Sequence, residues 1–173
     1  RTGTVMPVQH DGSFVTVKTS DQLVWPENLK GGRDAKKDDN VLFYYLQKIT
    51  APARLTGTSL LVHETIDQVK EARRAWVYNS GQRRVRRAPN VAYDGPGAGT
   101  DGLRTSDNYD MFNGAPDRYN WKLVGKKEVY IPYNSYKLLD TNTKYSTLVQ
   151  AGHLNPDYLR YELHRVWEVQ ATL

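Results

Sequence analysis

Residues 161–169 (YELHRVWEV) alternate between apolar and polar side chains, and this alternation limits the fold more than any other feature of the sequence. In an extended chain the apolar side chains stand on one side and the polar ones on the other: Tyr161, Leu163, Trp167 and Val169 against Glu162, His164, Glu168 and Gln170. A period of two residues is typical of a β-strand. The segment is therefore predicted to be a half-buried strand of an antiparallel sheet.

Two further pairs of strands are indicated by runs of strand length that flank turn residues. Residues 41–49 (VLFYYLQKI) and 55–66 (LTGTSLLVHETI) are separated by the turn-like segment 51–53, which predicts an antiparallel pair. Residues 75–78 (AWVY) and 82–87 (QRRVRR) flank Asn79-Ser80-Gly81, whose glycine suits a positive φ. These residues predict a β-hairpin.

The remaining segments give shorter elements. Residues 12–24 predict a short strand that ends at Trp25-Pro26, and residues 119–124 and 127–132 predict two strands around Gly125. Residues 133–139 are expected to continue in an extended conformation. Within residues 144–158 short helices are predicted, with Asn155 capping a turn that has proline at its first position.

Taken together, the elements predict a mainly β protein with a few short helices (α+β), built on one strongly curved antiparallel sheet. A length of 173 residues suffices for one domain with a core, so residues 1–173 are expected to form a single domain. The glycine-rich or charged segments 28–40 and 89–114 are predicted to be long surface loops, and the aromatic residues of the second segment favour packing.

Composition excludes several classes of protein. The chain has no cysteine, which rules out disulfides, thiolate metal sites and thiol nucleophiles, and no apolar run approaches the roughly 20 residues of a transmembrane helix. The first five residues lack the apolar core of a signal peptide, and the last six stop inside a strand-like run. We therefore expect the chain to be a fragment of a longer, soluble protein.

No motif marks a catalytic or metal site. The four histidines lack the spacing of zinc motifs, the acidic residues do not follow a calcium loop, and the glycine-rich run beginning at Asp94 lacks the lysine of a phosphate-binding loop. The sequence around Ser80 is better explained as a turn than as a nucleophile elbow. We expect no enzymatic activity, no cofactor and no metal.

Arginines concentrate on the predicted hairpin. Arg73 and Arg74 enter it and four more leave it, so six cations share one ribbon: Arg73, Arg74, Arg83, Arg84, Arg86 and Arg87. Such a density of positive charge is repulsive unless anions neutralise it. Internal aspartates such as Asp107, Asp110 and Asp117 are the first candidates, followed by an anionic ligand head group and then by nucleic-acid phosphates, so nucleic-acid binding is not expected. Arg74, Arg84 and Arg86 are the candidate contacts to an anion or a partner.

Aromatic residues are numerous, with 12 Tyr and 4 Trp, and several fall within predicted strands. Those residues are Phe43, Tyr45, Trp76, Tyr78, Trp121, Tyr130 and Trp167. They could fill an ordinary core, or line an apolar trough on a curved sheet that takes a lipid or another hydrophobic ligand. The residues alone favour neither alternative.

Several segments resemble one large bacterial family. Residues 74–89 (RAWVYNSGQRRVRRAP) and 93–138 resemble the characteristic stretches of the family called domain of unknown function 1329, as do LLVHETIDQVKEARRAWVYN, TAPARLTG and GHLNPDYLRYELHRVWEVQATL. The similarity extends over nearly the whole chain. It implies the central part of a secreted protein related to outer-membrane lipoprotein sorting and to the lipoprotein carriers LolA and LolB.

What the resemblance implies is a half-closed antiparallel barrel in the periplasm, associated with the outer membrane and occurring beside transporters of the resistance-nodulation-division type. No catalytic or ligand residue follows from it. Our leading hypothesis is a noncatalytic carrier of lipid or other hydrophobic cargo. The alternative is a module that docks such a transporter or an outer-membrane partner without cargo, and a hydrolase is a third possibility.

Overall fold

The computed structural model describes residues 1–31 and 40–173, which form two compact units. The first unit comprises residues 1–7 and 16–117, and the second comprises residues 8–15 and 118–173. Most of the predicted loop 28–40 lies outside the described residues. The prediction that residues 1–173 form a single domain stays a prediction.

The first unit is built on a six-stranded antiparallel sheet in which each strand pairs with the next along the chain. The strands are β1 (Thr2–Val5), β2 (Val17–Val24), β3 (Val41–Ala51), β4 (Ser59–Thr65), β5 (Arg74–Asn79) and β6 (Arg84–Arg87). Both the predicted β3–β4 pair and the predicted β5–β6 hairpin are confirmed. The mainly β, antiparallel fold class is confirmed with them.

The turn of the β5–β6 hairpin differs from the prediction. The side-chain Oδ1 of Asn79 accepts a hydrogen bond from the backbone N–H of Gln82, at 2.9 Å, and this bond closes the turn. Arg83, with a φ of 53°, takes the left-handed conformation, whereas Gly81 does not. The prediction of a positive φ at Gly81 was therefore wrong. Strand β5 extends to Asn79, and the residue of the turn with a left-handed conformation is Arg83, two positions after Gly81.

One face of this sheet is packed, and we call it the packed face. Its buried side chains alternate along the strands: Val17, Thr19, Asp21, Ile49, Val62, Glu64 and Ala75. Residues 89–117 lie against this face, since a Cβ added to Gly99 would come within 3.0 Å of Val17. The segment begins with a 3₁₀ turn, Pro89–Ala92, and its buried residues include Thr100 and Ala115.

A buried ion pair fixes this segment to the sheet. Arg73 Nη2 lies 2.6 Å from Glu64 Oε2, and both side chains are at most 5% exposed. The same guanidinium donates to the carbonyl oxygens of Val91, at 3.2 Å, and Asn113, at 2.9 Å. Arg73 therefore joins β4 to both ends of the segment that covers the packed face.

The second unit contains a long two-stranded antiparallel ribbon and a short hairpin. The ribbon pairs β7 (Asn120–Pro132) with β10 (Tyr161–Thr172), and the hairpin pairs β8 (Val149–Gln150) with β9 (His153–Leu154). One α-helical turn, α1 (Tyr145–Leu148), precedes β8. The 3₁₀ turn Pro156–Tyr158 is capped by Asn155, whose side chain accepts from the N–H of Asp157, as predicted.

Two predictions for this unit were wrong. Residues 119–132 do not form two strands around Gly125, because β7 continues through a β-bulge in which Glu168 pairs with Gly125 and Val169 with Leu123. Gly125 has a φ of 145°, which lets the strand bend without ending. Residues 133–139 are also not wholly extended, since Tyr136–Leu139 forms a 3₁₀ turn.

Strand β10 is confirmed, but its apolar side is the more exposed one. Tyr161, Leu163 and Trp167 are all more than half exposed, at 56%, 52% and 59%. Glu162 and His164 on the opposite side are partly buried, because Glu162 accepts from Asn134 and contacts Arg160 and His164.

Among the described residues, no helix is long and apolar enough to cross a membrane.

Candidate ligand-binding face

The face of the six-stranded sheet opposite the packed face, which we call the open face, carries ordered rows of side chains across β3 to β6. Register places directly paired residues on the same side of a sheet. The central row is Leu46, Leu61, Trp76 and Arg87. The flanking rows are Tyr44, His63 and Arg74 on one side and Lys48, Ser59, Tyr78 and Val85 on the other.

These rows surround a shallow apolar depression of about 380 Å³. It is lined by Leu46, Ser59, Leu61, His63, Trp76, Tyr78 and Val85. Leu46 is 38% exposed and Val85 is 64% exposed, so apolar surface is presented to solvent. Because residues 89–117 already pack on the other side of the sheet, the unit has a core without this surface.

An aromatic ladder crosses three strands at one end of the depression. The rings of Tyr44 and His63 meet edge to face with centroids 4.7 Å apart, and those of His63 and Trp76 do the same at 4.8 Å. Burial, with a smaller contribution from the charge of Arg74, lowers the pKa of His63 below its ordinary value. The neutral imidazole is therefore favoured within the ladder.

The seven aromatic residues proposed from the sequence are divided between the two units and, in the first unit, between the two faces of the sheet. Trp76 and Tyr78 lie together on the open face and line the depression. Phe43 and Tyr45 pair with Glu64 and Val62, so they belong to the packed face instead. The remaining three, Trp121, Tyr130 and Trp167, lie in the second unit.

The two aromatic residues of the packed face have partners there. Phe43 packs edge to face against Trp25, with ring centroids 4.9 Å apart. The hydroxyl of Tyr45 accepts a hydrogen bond from Gln47 at 2.9 Å. Burial and the nearby carboxylate of Asp21 raise the pKa of Tyr45 to about 12. Both residues therefore have a role in packing.

The three aromatic residues of the second unit share one side of the β7–β10 ribbon. The pairs Leu163 with Tyr130, Trp167 with Lys126 and Ala171 with Trp121 set this side. Lys126 Nζ lies 4.7 Å from the centroid of the Trp167 ring, at the distance of a cation–π contact. This side forms a second surface, on which apolar residues outnumber the charged ones, Lys126, Glu128 and Arg165.

The arginines divide between the two faces of the hairpin. Arg74 lies on the open face, 3.3 Å from Glu71, whereas Arg84 and Arg86 pair with Asn79 and Val77 on the opposite side of β6 and are exposed. Within residues 1–31 and 40–173, no carboxylate lies within 4.0 Å of either Arg84 or Arg86.

Two of the three aspartates expected to pair with the arginines make other contacts. Asp107 accepts from Thr105, at 2.6 Å, and Asp117 accepts from Tyr93, at 3.1 Å. The hairpin arginines that form internal ion pairs use glutamates, Glu64 and Glu71. Aspartates were the first candidates from the sequence because they follow the hairpin closely, but β4 brings Glu64 nearer in space.

Several residues of the open face were not among the candidate site residues from the sequence: Tyr44, Leu46, Leu61, His63, Val85 and Arg87. In β3 the run VLFYYL is apolar at every position, so alternation does not say which residues share a face. The polar residues that follow it, Gln47 and Lys48, give the only local signal of the register. Only the pairing to β4, whose Val62 and Glu64 are buried, assigns the faces.

Within the described part of the chain, no group of three or more histidine, aspartate or glutamate side chains is placed to hold a metal ion. The depression is bordered by hydroxyl groups of Ser59 and Tyr78 and by His63, while its other lining residues are apolar. Its arrangement is that of a surface for binding an apolar group with polar atoms at the margin.

The fold and this face define a mainly β protein with an exposed apolar surface. The family model described as "protein of unknown function (DUF1329)" matches residues 1–173, and the chain belongs to this family, as its sequence resemblance indicated. It is 64% identical over 165 residues to an uncharacterised protein of Pseudomonas aeruginosa, an alignment that covers 95% of this chain and 36% of that protein. The chain thus spans about a third of the length of this curated relative.

Two solved structures are similar in part. A DUF1329 family protein from Desulfovibrio piger matches with 24% identity and a TM-score of 0.46, covering 74% of this chain and 48% of the other. A domain from Vibrio parahaemolyticus, described as that of a putative outer membrane lipoprotein-sorting protein, matches with 14% identity and a TM-score of 0.41, covering 77% and 46%.

Proposed function

We propose that this chain is part of a noncatalytic protein of the periplasm that binds and carries lipid or other hydrophobic cargo. The observation behind the proposal is the apolar depression on the open face, whose side chains are left exposed while the other side of the sheet is packed. Contiguous apolar surface exposed on a folded unit favours a binding site. In this proposal the sheet belongs to a strongly curved half-barrel of the lipoprotein-carrier type.

Aromatic residues suit such cargo because they combine a large apolar area with a polar edge. Trp76 lies in the central row of the depression, between Leu61 and Arg87. An alkyl chain on this row would contact Leu46, Leu61 and Trp76 in succession. The depression is shallow, and the cargo therefore rests on the sheet instead of being enclosed by it.

Fluorescence of N-phenyl-1-naphthylamine, a neutral apolar dye, tests the proposal on the delipidated chain. We expect the dye to bind, and Trp76→Ala to raise its Kd about tenfold, because a central aromatic contact is lost. Trp167→Ala, which removes the same side chain from the ribbon of the second unit, is the matched control and should leave that Kd unchanged. Equal losses in both variants, or no binding by the unmodified chain, would contradict a site on the open face.

A second candidate function is docking to a resistance-nodulation-division transporter or an outer-membrane protein. The observation that favours it is the exposed pair Arg84 and Arg86, which has no carboxylate partner among the described residues. Cargo binding is preferred because docking leaves the apolar depression without a role. Absence of dye binding would make partner docking the preferred function instead of cargo binding.

A further inference from the structure

Every charged side chain that β3 to β6 contribute to the open face is cationic. Its side chains include Lys48, Arg74 and Arg87, and none of the open-face positions of these four described strands is an aspartate or a glutamate. The acidic residues within the six-stranded sheet, Asp21 and Glu64, are buried on the packed face. The strands therefore contribute apolar and cationic groups to the open face, and Glu71, from the connection between β4 and β5, lies 3.3 Å from Arg74. Anions are the electrostatic complement of these cations.

Two of these cations are neighbours of Trp76, which lines the depression, in the strand register. Arg87 is directly opposite Trp76, and Arg74 precedes Trp76 by two residues on the same side of β5. Arg74 and Arg87 are thus diagonal neighbours on adjacent strands, a relation that places such residues about 7–8 Å apart. Both side chains therefore stand on the side of the sheet that carries Trp76, on adjacent strands.

Both guanidinium groups have donors to spare. Arg74 contacts Glu71 at 3.3 Å, but these side chains are 41% and 45% exposed, and surface pairs of this kind are weak. Arg74 Nε is buried without a hydrogen-bond partner in the structure described. The side chain of Arg87 is exposed and, in residues 1–31 and 40–173, no carboxylate lies within 4.0 Å of it.

We propose that the open face selects single-chain amphiphiles with an anionic head group, a carboxylate or a phosphate monoester. The head group is held by Arg74 and Arg87, and the alkyl chain lies along Trp76, Leu61 and Leu46. This inference rests on the proposed function, and it adds the chemical class of the cargo. Guanidinium groups suit both head groups because their donors match two oxygens at once.

Displacement of the naphthylamine dye by amphiphiles with the same C12 tail tests the selectivity. Dodecanoate and dodecyl phosphate are the anionic probes, and dodecyl maltoside is the neutral probe, all used below their critical micelle concentrations. We expect each anionic probe to displace the dye at a concentration at least about tenfold lower than the neutral one, as hydrogen bonds to charged groups allow. The two anionic probes also show whether carboxylate or phosphate is preferred.

The double variant Arg74→Gln/Arg87→Gln should remove this preference and leave displacement by dodecyl maltoside unchanged. The matched control is Arg84→Gln/Arg86→Gln, which removes the same charge from the opposite side of the same hairpin and should keep the preference. Circular dichroism melting checks that both variants are folded. If Arg74→Gln/Arg87→Gln does not fold, the lysine variant of both positions, which keeps the charge, should retain a weaker preference.

The outcomes of these measurements distinguish failure of the head-group proposal from failure of the proposed function. Equal displacement by anionic and neutral probes, or equal losses in the two arginine double variants, overturns the head-group proposal while the apolar site stands. If the dye does not bind the unmodified chain and none of the amphiphiles binds in calorimetry, the proposed function fails, and the head-group proposal fails with it. Calorimetric binding of anionic probes alone, lost in Arg74→Gln/Arg87→Gln, supports the head-group site.

Discussion

At the scale of single residues, the buried pair of Arg73 and Glu64 connects several parts of the first unit. Glu64 accepts from Gln68 and from the N–H of Thr65 as well as contacting Arg73. Arg73 in turn reaches the backbone of the segment over the packed face. The two side chains therefore connect β4, the β4–β5 connection and the two ends of the segment over the packed face.

Replacing Glu64 by alanine should reduce the free energy of unfolding by about 3–5 kcal/mol, because Arg73 would be left as an unpaired buried charge. Urea denaturation followed by circular dichroism gives this value. Glu71→Ala is the control, since it breaks the exposed pair with Arg74 and should cost at most about 1 kcal/mol. Similar losses in the two variants would argue against a special role for the buried pair.

His63 gives the first unit a pH dependence whose sign is defined. Its folded-state pKa is lowered, so the unfolded chain binds more protons between that pKa and the ordinary value of about 6.5. Stability should therefore be undiminished above about pH 6.5, fall as the pH drops through this window, and level off below the folded pKa. Melting temperatures of the unmodified chain and of His63→Gln between about pH 7.5 and 5 measure the difference, and parallel curves would refute the assignment.

Residue-scale features also mark the limit of what sequence can predict. The candidate site could be assigned in part, because Trp76 and Tyr78 stand in a short strand beside a clear turn. Phe43 and Tyr45 were placed in the same trough, although the register turns both away from the open face. Neither the burial of Arg73 nor its pairing with Glu64 follows from local pattern, since the two residues lie on either side of the connection between β4 and β5.

At the scale of elements, the bulge in β7 shows how one glycine keeps a long strand continuous. The ribbon runs from Asn120 to Pro132 and from Tyr161 to Thr172, and its register shifts once, at Gly125. A two-stranded ribbon is only marginally stable by itself. Its backbone pairing is therefore sensitive to strain at this position.

Gly125→Val should destabilise the ribbon by about 1–3 kcal/mol, because a φ of 145° is essentially restricted to glycine. Gly81→Ala is the control, since Gly81 does not have a positive φ and an added Cβ would meet only the Oδ1 atom of Asn79, at 3.4 Å. Amide hydrogen exchange of β7 and β10 reports the change directly. Unaltered protection in Gly125→Val would show that the bulge tolerates a side chain.

Among the elements, those with local signals were the ones predicted from sequence. The β3–β4 pair, the β5–β6 hairpin and strand β10 follow from short-range alternation and turn residues. The continuation of β7 through Gly125 could not be predicted, because glycine within a run is equally consistent with a turn and with a bulge. The continuity of β7 was decided by its pairing with β10, which is distant along the chain.

At the scale of the whole molecule, apolar surface is distributed over both compact units. The first unit presents the depression around Trp76, and the second presents the side of the ribbon that carries Tyr130, Leu163 and Trp167. The sequence predicts one common trough for the seven aromatic residues of the strands. Composition gives the number of such residues but not which of them share a surface. The structure assigns them to the two faces of the sheet in the first unit and to the ribbon in the second.

The position of β6 at the end of the six-stranded sheet has a consequence for self-association. A terminal strand offers unpaired N–H and C=O groups to any other chain that can extend the sheet. In this chain three of the four residues of that strand are exposed arginines, Arg84, Arg86 and Arg87. Two copies approaching through their β6 edges would bring like charges together, so the chain can display apolar surface to water and still disfavour extension of the sheet at this edge.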